Sequence, residues 1–273
     1  MSGPRRLIPF LLVIVLTVAA IVTAVLSAGS AASGSTEVRA ALDSMMNAKS
    51  VTFALNADLS GVQSAQATVD GSCATGPECQ ITFSATGDKS NVGQSQLVID
   101  NGVAYVELSG PLASQLPTPW ISAPLNSSSA QQSGISNSAD LSSVLDGLAK
   151  VGDTVTDDGT VTLNGEPAHE YTVSASQATE QQQVGAVLKA LPSTDASALG
   201  AITVGGYSVN VYIGNDGNIA EVDLSTSINT ARGSESLSMR LDLSGYGQPV
   251  SVTVPPANEV TPLSSLTESF LGL

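Results

Sequence analysis

The last third of the chain constrains the fold most, because apolar and polar residues alternate there over three consecutive segments. Successive side chains of a β-strand point to opposite faces of a sheet, so this period of two predicts three strands sharing one apolar face. The connections are short and polar, as in Gly214–Asn218, which favours antiparallel neighbours with one apolar and one solvated face. The apolar face is predicted to carry Val209, Val211 and Ile213, then Ala220, Val222, Leu224, Thr226 and Ile228, then Leu237, Met239, Leu241 and Leu243.

Earlier segments show the same pattern around two Asn-Gly pairs. Asn101-Gly102 and Asn164-Gly165 each separate two strand-like runs, and Asn-Gly suits the two-residue type I′ turn of a β-hairpin. A first strand is predicted over SVTFALNADLSG, a further one over ITFSA with Ile81 and Phe83, and a closing one over PVSVTVPP with Val250, Val252 and Val254. On their apolar sides these strands carry Val51, Phe53, Leu55, Ala57 and Leu59, and across the first hairpin Leu97, Ile99, Ala104, Val106 and Leu108.

Helical spacing appears in three segments between these strands, and a short tail helix is predicted over SSLTESFLGL. The segment TEVRAALDSMMNAKS begins with a capping residue, Thr36, while LSSVLDGLAK and SQATEQQQVGAVLKAL each carry one apolar stripe. The stripes of the latter two contain Leu141 and Leu145, and Val184 and Leu188, respectively. Helices and short-looped strands in this order predict an α+β fold, a curved antiparallel β-sheet cupping amphipathic helices.

The N-terminus has the organisation of an export signal. Arg5 and Arg6 precede an uncharged, mostly apolar run, Leu7–Leu26, and small residues follow from Ser27 to Ala32. The run reaches the ~20 residues that span a bilayer, so it is either a cleaved signal peptide or a retained anchor, and its basic end stays in the cytoplasm. We therefore predict a targeting segment at 1–29, a linker at 30–35 and a single extracytoplasmic domain at 36–273.

The charge of the chain excludes some classes of partner. The formal net charge is −15, and all 24 acidic residues follow the targeting segment, together with seven of the nine basic ones. Nucleic acids and anionic lipid head groups both require a basic surface, which such a domain does not offer. An acidic surface is the ordinary means of keeping an exported protein soluble.

The two cysteines are expected to pair. Cys73 and Cys79 lie six positions apart in GSCATGPECQ, where Gly76 and Pro77 favour a turn, and an exported protein meets an oxidising environment. A metal site would require more ligands than these thiols, and a redox pair would more often read CxxC. We predict a structural disulfide.

The sequence contains no recognisable catalytic constellation. The single histidine, His169, shares a predicted strand face with Tyr171 and Val173, and GxSxG does not occur. Gly205-Gly206 precede a strand instead of a helix, and Gly214–Asn218 lacks the carboxylate pattern of a calcium loop. We therefore predict a protein that is not an enzyme and carries no cofactor and no metal.

Taken in order, these segments resemble a known family. The segments are the N-terminal helix before VTFALNADLS, the hairpin LVIDNGVAYVEL, Trp120 in a proline-flanked loop, LSSVLDGLAK before TVTLNGEPAHEYTVS, YIGNDGNIAEVDL and GYGQPVSVTVPPANEV. In this order they are similar to the LppX/LprG-type cell-envelope lipoproteins of actinobacteria. That family is related to the LolA/LolB lipoprotein carriers. The resemblance covers residues 36–262. In VLSAGS, Ser or Gly stands where such a lipoprotein has its lipid-bearing cysteine, so no diacylglycerol can be attached there.

The resemblance implies a LolA-like half-barrel wrapped over helices, with an apolar cavity that holds acyl chains of lipids or lipoglycans. It implies a monomeric carrier or presenter of lipid, on the outer face of the cytoplasmic membrane or secreted. The alternative is a cell-surface interaction or sensor module with a filled core. The candidate cavity residues are Val51, Phe53, Leu55, Leu97, Ile99, Val106, Leu141, Leu145, Val184, Leu188, Val209, Val211, Leu224, Leu241 and Val252.

The fate of the N-terminal run is directly testable. Its length favours retention, so we expect the exported protein to stay in the membrane fraction with Leu7–Leu26 still attached. N-terminal sequencing of the exported protein measures this. A mature start near Ser33 would refute the anchor.

Overall fold

The fold is known from a computed structural model, which describes residues 34–61, 64–74, 78–87, 90–107, 109, 113–114, 116–125, 154–174, 203–230 and 233–265. The predicted targeting segment, Leu108 and the predicted helices with Leu141, Leu145, Val184 and Leu188 lie outside these residues, as does most of the tail helix. Within the described ranges, no helix combines the length and apolar character needed to cross a membrane.

The described residues form one α-helix, twelve strands and a short 3₁₀ turn. The elements are α1 (Gly34–Asn47), β1 (Ser50–Gly61), β2 (Ala65–Ala74), β3 (Cys79–Gly87), β4 (Ser90–Asp100), β5 (Val103–Glu107), β6 (Trp120–Pro124), β7 (Thr154–Leu163), β8 (Glu166–Ser174), β9 (Thr203–Gly214), β10 (Ile219–Thr230), β11 (Gly233–Ser244), the 3₁₀ turn Ala257–Glu259 and β12 (Val260–Pro262).

The strands form an open sheet in the order β12-β6-β5-β4-β3-β2-β1-β11-β10-β9-β8-β7. The hairpin pairs are antiparallel, and β12 joins β6 in parallel. This confirms the predicted α+β class with an antiparallel sheet. The edge strand β7 is interrupted by a bulge between Asp157 and Gly159, a feature that hinders edge-to-edge pairing with other chains.

Both Asn-Gly hairpins are confirmed. Asn101 and Gly102 have φ angles of 48° and 75°, and Asn164 and Gly165 have φ angles of 53° and 89°. Two successive positive φ angles define the type I′ turn, whose twist matches that of the flanking strands. The turn at Asn101 aligns Ile99 with Ala104 and Leu97 with Val106, so these four residues share a face as predicted.

By its internal contacts the chain divides into two compact units. Unit 1 comprises 1–47, 55–67 and 142–243, and unit 2 comprises 48–54, 68–141 and 244–273. Among the described residues, unit 1 therefore contains α1 and β7–β10 with almost all of β11. Unit 2 contains β3–β6 and β12. β1 and β2 contribute residues to both.

The core of unit 1 is the shared apolar face predicted from the alternation. Val209, Val211 and Ile213 of β9 lie opposite Leu224, Val222 and Ile219 of β10, and Leu237, Met239 and Leu241 of β11 continue the face. All nine side chains are buried, as are Val38, Ala41 and Leu42 of α1. The prediction differs at one point: a bulge between Ile219 and Glu221 turns Ile219 into the core in place of Ala220.

The sequence did not predict strand β2, and the structure explains why. Ala65, Thr68 and Gly71 leave its apolar alternation weak. A side chain at position 71 would lie 2.8 Å from Cζ of Phe53 and 3.0 Å from Cγ1 of Ile81, so glycine lets these two side chains approach across β2. The predicted disulfide between Cys73 and Cys79 is present and links β2 to β3, next to a hydrogen bond from the Ala74 amide to the Glu78 carbonyl at 2.8 Å.

The predicted closing strand over Pro249–Pro256 is wrong. These residues are extended but join no ladder; they form a strap that leads to β12. Gly247 N donates to Ser50 O at 3.0 Å, and Thr253 N donates to the side-chain oxygen Oε1 of Gln80 at 3.2 Å. Gln80 lies opposite Val98, which is 1% exposed although it faces away from Leu97 and Ile99. The two hydrogen bonds tie Gly247 and the strap to β1 and β3, respectively.

The disulfide is expected to contribute measurably to stability. Replacing both Cys73 and Cys79 by Ser releases a short loop, which by the entropy of the unfolded chain lowers the free energy of unfolding by about 2 kcal/mol. Urea titration measures this. The native protein in dithiothreitol should match the double variant, and equal midpoints of native and variant protein without reductant would contradict the expectation.

Candidate functional site

A row of large apolar side chains crosses unit 2. Ile81 lies opposite Leu97, Leu97 opposite Val106, and Val106 opposite Ile121. Phe53 joins this row across Gly71, where its ring approaches Ile81. We call Phe53, Ile81, Leu97, Val106 and Ile121 the apolar row; from β3 to β6 it extends about 14 Å.

The next row on the same face is built from smaller side chains. Ile99 lies opposite Ala104, and Ala104 lies opposite Ala123. Both alanines are buried, at 1% and 3% exposure. Val106 and Ile121 project further from the sheet than Ala104 and Ala123, so the face steps down between the two rows.

The apolar row differs from the core of unit 1 in its burial. Each of its five members is half-buried, whereas nine side chains of the apolar face of β9–β11 are buried, with Val209 and Val211 at 0%. Most large apolar residues in a folded domain are packed away from water. A contiguous, half-buried row therefore marks a surface on which apolar material can bind.

The structure separates the predicted cavity residues into groups. Phe53, Leu97, Ile99 and Val106 come together in unit 2, and Val51 is half-buried on the same strand face as Phe53. The buried residues on the apolar face of unit 1 include Val209, Val211, Leu224 and Leu241. Leu55, at 2% exposure, also lies in unit 1. Val252 lies in the strap, not in a strand. Ile81 and Ile121 were not among the candidates, although Ile81 stands between polar Gln80 and Thr82 in the sequence.

The opposite face of β8–β11 carries a group of charged and amide side chains. Glu170 Oε1 accepts hydrogen bonds from Asn210 Nδ2 at 3.2 Å and Tyr212 OH at 3.0 Å. Arg240 Nη2 contacts Glu221 Oε1 at 2.5 Å, and its Nε lies 3.4 Å from Asp223 Oδ1. Sequence reasoning treated these carboxylates as scattered over a solvated face.

Glu221 departs from that expectation because it is completely buried. Its Oε2 is the one buried side-chain oxygen or nitrogen of the described residues without a hydrogen-bond partner. Burial raises the pKa of Glu221 to about 7, and Asp223 and Asp242 add to the rise, while the hydrogen bond from Arg240 opposes it. A proton on Oε2 could be donated to Asp242, which would satisfy the orphaned atom.

His169 also has a specific environment. Its Nε2 lies 2.6 Å from Asp157 Oδ1, and its ring stacks on Tyr171 with centroids 5.0 Å apart, which confirms that the two residues share a face. Hydrogen bonds from His169 and from the Gly159 amide lower the pKa of Asp157. The Asp157 carboxylate is thus held by the His169 ring and the Gly159 amide, and Thr160 lies opposite His169 on β7.

The described residues also offer no metal centre. Among them, no group of three or more His, Cys, Asp or Glu side chains is arranged to hold an ion.

Comparison with known proteins finds similar solved structures but no similar sequence. No protein-family model and no curated protein sequence matches the chain. Among solved structures, it is similar to lipoprotein LppX from Mycobacterium tuberculosis, at 15% identity over 80% of this chain and 97% of that chain, with a TM-score of 0.44. It is similar to LprF from Mycobacterium bovis, at 14% identity over 82% and 97%, with a TM-score of 0.48.

A LolA-superfamily protein from Nitrosomonas europaea is also similar, at 9% identity over 81% of this chain and 96% of that chain, with a TM-score of 0.24. The similar structures thus include the LppX type and the LolA superfamily, the two groups that the sequence resembles.

The burial of Glu221 predicts a pH dependence of stability. The unfolded chain releases this proton near pH 4.5, whereas the folded chain holds it to about pH 7. The folded state therefore binds more protons in that window, and its stability falls as the pH rises through it, by a contribution on the order of 3 kcal/mol.

The variant Glu221→Gln lacks this contribution. We expect the difference in free energy of unfolding between Glu221→Gln and the native protein to grow in favour of the variant from pH 4.5 to pH 7 and then to level off. Urea titrations at half-unit pH intervals measure it, with Asp70→Asn, an exposed carboxylate on β2, as the control for loss of charge. Parallel curves for the Gln variant and the native protein would contradict the assignment.

Proposed function

We propose that the protein is a non-catalytic extracytoplasmic carrier or presenter of lipid acyl chains, and that the chains bind along the apolar row of unit 2. The observation that carries the proposal is the half-buried state of five large apolar side chains in register across neighbouring strands. The small row of Ala104 and Ala123 beside them supplies the depth that a methylene chain needs.

The energetics favour an acyl chain as the occupant. Each methylene group transferred from water to this surface contributes about 0.8 kcal/mol, so a chain of ten or more groups gains enough to offset the entropy of its ordering. The row is lined by aliphatic carbon and one phenyl ring, and it offers no polar group to direct a polar ligand. Recognition along the row would depend on length and shape.

Compartment and charge support the same proposal. The disulfide Cys73–Cys79 is stable in an oxidising, extracytoplasmic compartment. A formal net charge of −15 opposes docking on anionic head groups, so the protein would take up the apolar part of a lipid or lipoglycan. The domain would act as a monomer, anchored by residues 7–26 or released.

One observation favours a second candidate, an interaction or sensor module with a filled core. Four of the predicted cavity residues, on the apolar face of β9–β11, are buried: Val209, Val211, Leu224 and Leu241. If unit 2 binds no lipid, the domain is filled and its surface serves protein contacts instead.

The test is direct. Protein purified from a lipid-rich envelope is extracted and examined by mass spectrometry for acyl species, and the delipidated protein is then titrated with a fluorescent C16 fatty acid. We expect copurified acyl chains and saturable uptake. Absence of both would refute the proposal.

Variants locate the site. Val106→Asp places an unpaired carboxylate in the middle of the apolar row, which should weaken uptake at least tenfold because burying that charge costs several kcal/mol. Val161→Asp makes the same change at a half-buried strand valine of unit 1 and should retain uptake. Urea titration of both variants checks folding, and equal loss of uptake in the two would place the chains elsewhere.

A further inference from the structure

A second concave site lies within unit 1, apart from the apolar row. Its volume is about 350 Å³, and α1 forms one wall while β7, β8 and the β9–β10 turn form the others. α1 reaches this turn directly, because Ser44 Oγ donates to Asn218 Oδ1 at 2.7 Å. The volume is at the lower end of the range for small-ligand sites. The lining that matters below consists of Glu37, Thr160, His169, Tyr171 and Asn215.

The floor of this cleft is a pair of stacked rings. His169 and Tyr171 stack at a centroid distance of 5.0 Å with an interplanar angle of 24°. Tyr171 is only 4% exposed and lines the cleft. A ligand in the cleft could supply a polar atom to its hydroxyl.

The charge around the rings is negative. Glu37 of α1 lines the cleft, and Asp157 holds the outer edge of the imidazole through Nε2. The pKa of Tyr171 is raised, first by burial and then by the charges of Glu37 and Asp157. Among the described lining residues there is no lysine or arginine to balance them.

These features select the class of ligand. An anion would face two carboxylates, with only an imidazole already engaged by Asp157 to attract it. A cation would be attracted by Glu37 in the lining and by Asp157 behind the imidazole, and could donate a hydrogen bond to the Tyr171 oxygen. Thr160 and Asn215 at the rim offer further hydrogen-bonding oxygens.

We propose that this cleft binds a small organic cation, an alkylammonium or alkylguanidinium group, between Glu37 and the His169–Tyr171 rings. The site is independent of the acyl-chain proposal, since none of its lining residues belongs to the apolar row.

The proposal is tested by NMR titration of the isotope-labelled full chain with n-butylammonium, n-butylguanidinium, n-butanol and n-butyrate. We expect saturable shifts at the amides of Glu37, His169 and Tyr171 with the two cations, and affinity at least tenfold weaker for the alcohol and the acid. A lysine-containing tripeptide with blocked ends distinguishes a free small cation from a side chain of a protein partner. No saturable shift with either cation, or equal affinity for butyrate, would overturn the proposal.

Two variants test the charge of Glu37 and the hydroxyl of Tyr171, and a third is the control. Glu37→Gln should weaken n-butylammonium about tenfold, and Tyr171→Phe about fivefold through loss of one hydrogen bond. Glu166→Gln removes an equal charge from the exposed turn of the same hairpin and should leave affinity unchanged. Each variant is checked by thermal unfolding. An effect of Glu37→Gln no larger than that of Glu166→Gln, in folded protein, would also overturn the proposal.

Discussion

The packing of unit 1 depends on one face of β9–β11 in which every second residue is apolar. Nine side chains of this face are buried together, and at roughly 1.5–3 kcal/mol for each large aliphatic side chain their burial is the largest stabilising contribution visible in the described residues. α1 contributes only Val38, Ala41 and Leu42, and it lies at the β9–β10 turn end of the face. The sheet thus supplies most of the apolar surface and the helix supplies a local cover.

The strands of unit 2 also alternate apolar and polar residues, but the burial of their large apolar side chains differs from that in unit 1. The strap of unit 2 is fixed to β3 by the hydrogen bond from the Thr253 amide to Gln80, and the apolar row of its sheet is half-buried. Packing at interior density would leave little room for a ligand, whereas a half-buried row retains surface that a partner can cover. This difference in burial is the reason that we place acyl chains in unit 2 and regard the face of unit 1 as ordinary core.

Much of this architecture was predictable from local chemistry. Asn-Gly turns fix their hairpins because few other residue pairs tolerate two positive φ angles, and Cys73 and Cys79 had no competing partners. β2 was not predicted because Gly71 interrupts its apolar alternation. The glycine is needed there because Phe53 and Ile81 both come close to its backbone. The strap was mistaken for a strand because Val250, Val252 and Val254 alternate; whether an extended segment pairs with a sheet depends on tertiary neighbours that the sequence does not display.

The polar features that sequence reasoning missed both lie beside a β-bulge. Between Asp157 and Gly159 one extra residue lets Asp157 and Thr160 lie on the same face as Tyr171 and His169, and the resulting contact holds the imidazole at the cleft. Between Ile219 and Glu221 another bulge turns Ile219 into the core, and Glu221 is buried on the opposite face.

A period-two reading cannot anticipate the contact of Asp157, because that bulge shifts the alternation by one residue. Glu221 lies on the face that the alternation of Val222 and Leu224 predicts, so only its burial was unexpected. The two groups respond in opposite ways. Exposed Asp157 gains hydrogen bonds and its pKa falls, whereas Glu221 loses water and its pKa rises despite its contact with Arg240. Desolvation therefore outweighs ion pairing at Glu221, which makes this carboxylate the described group whose charge state most depends on the fold.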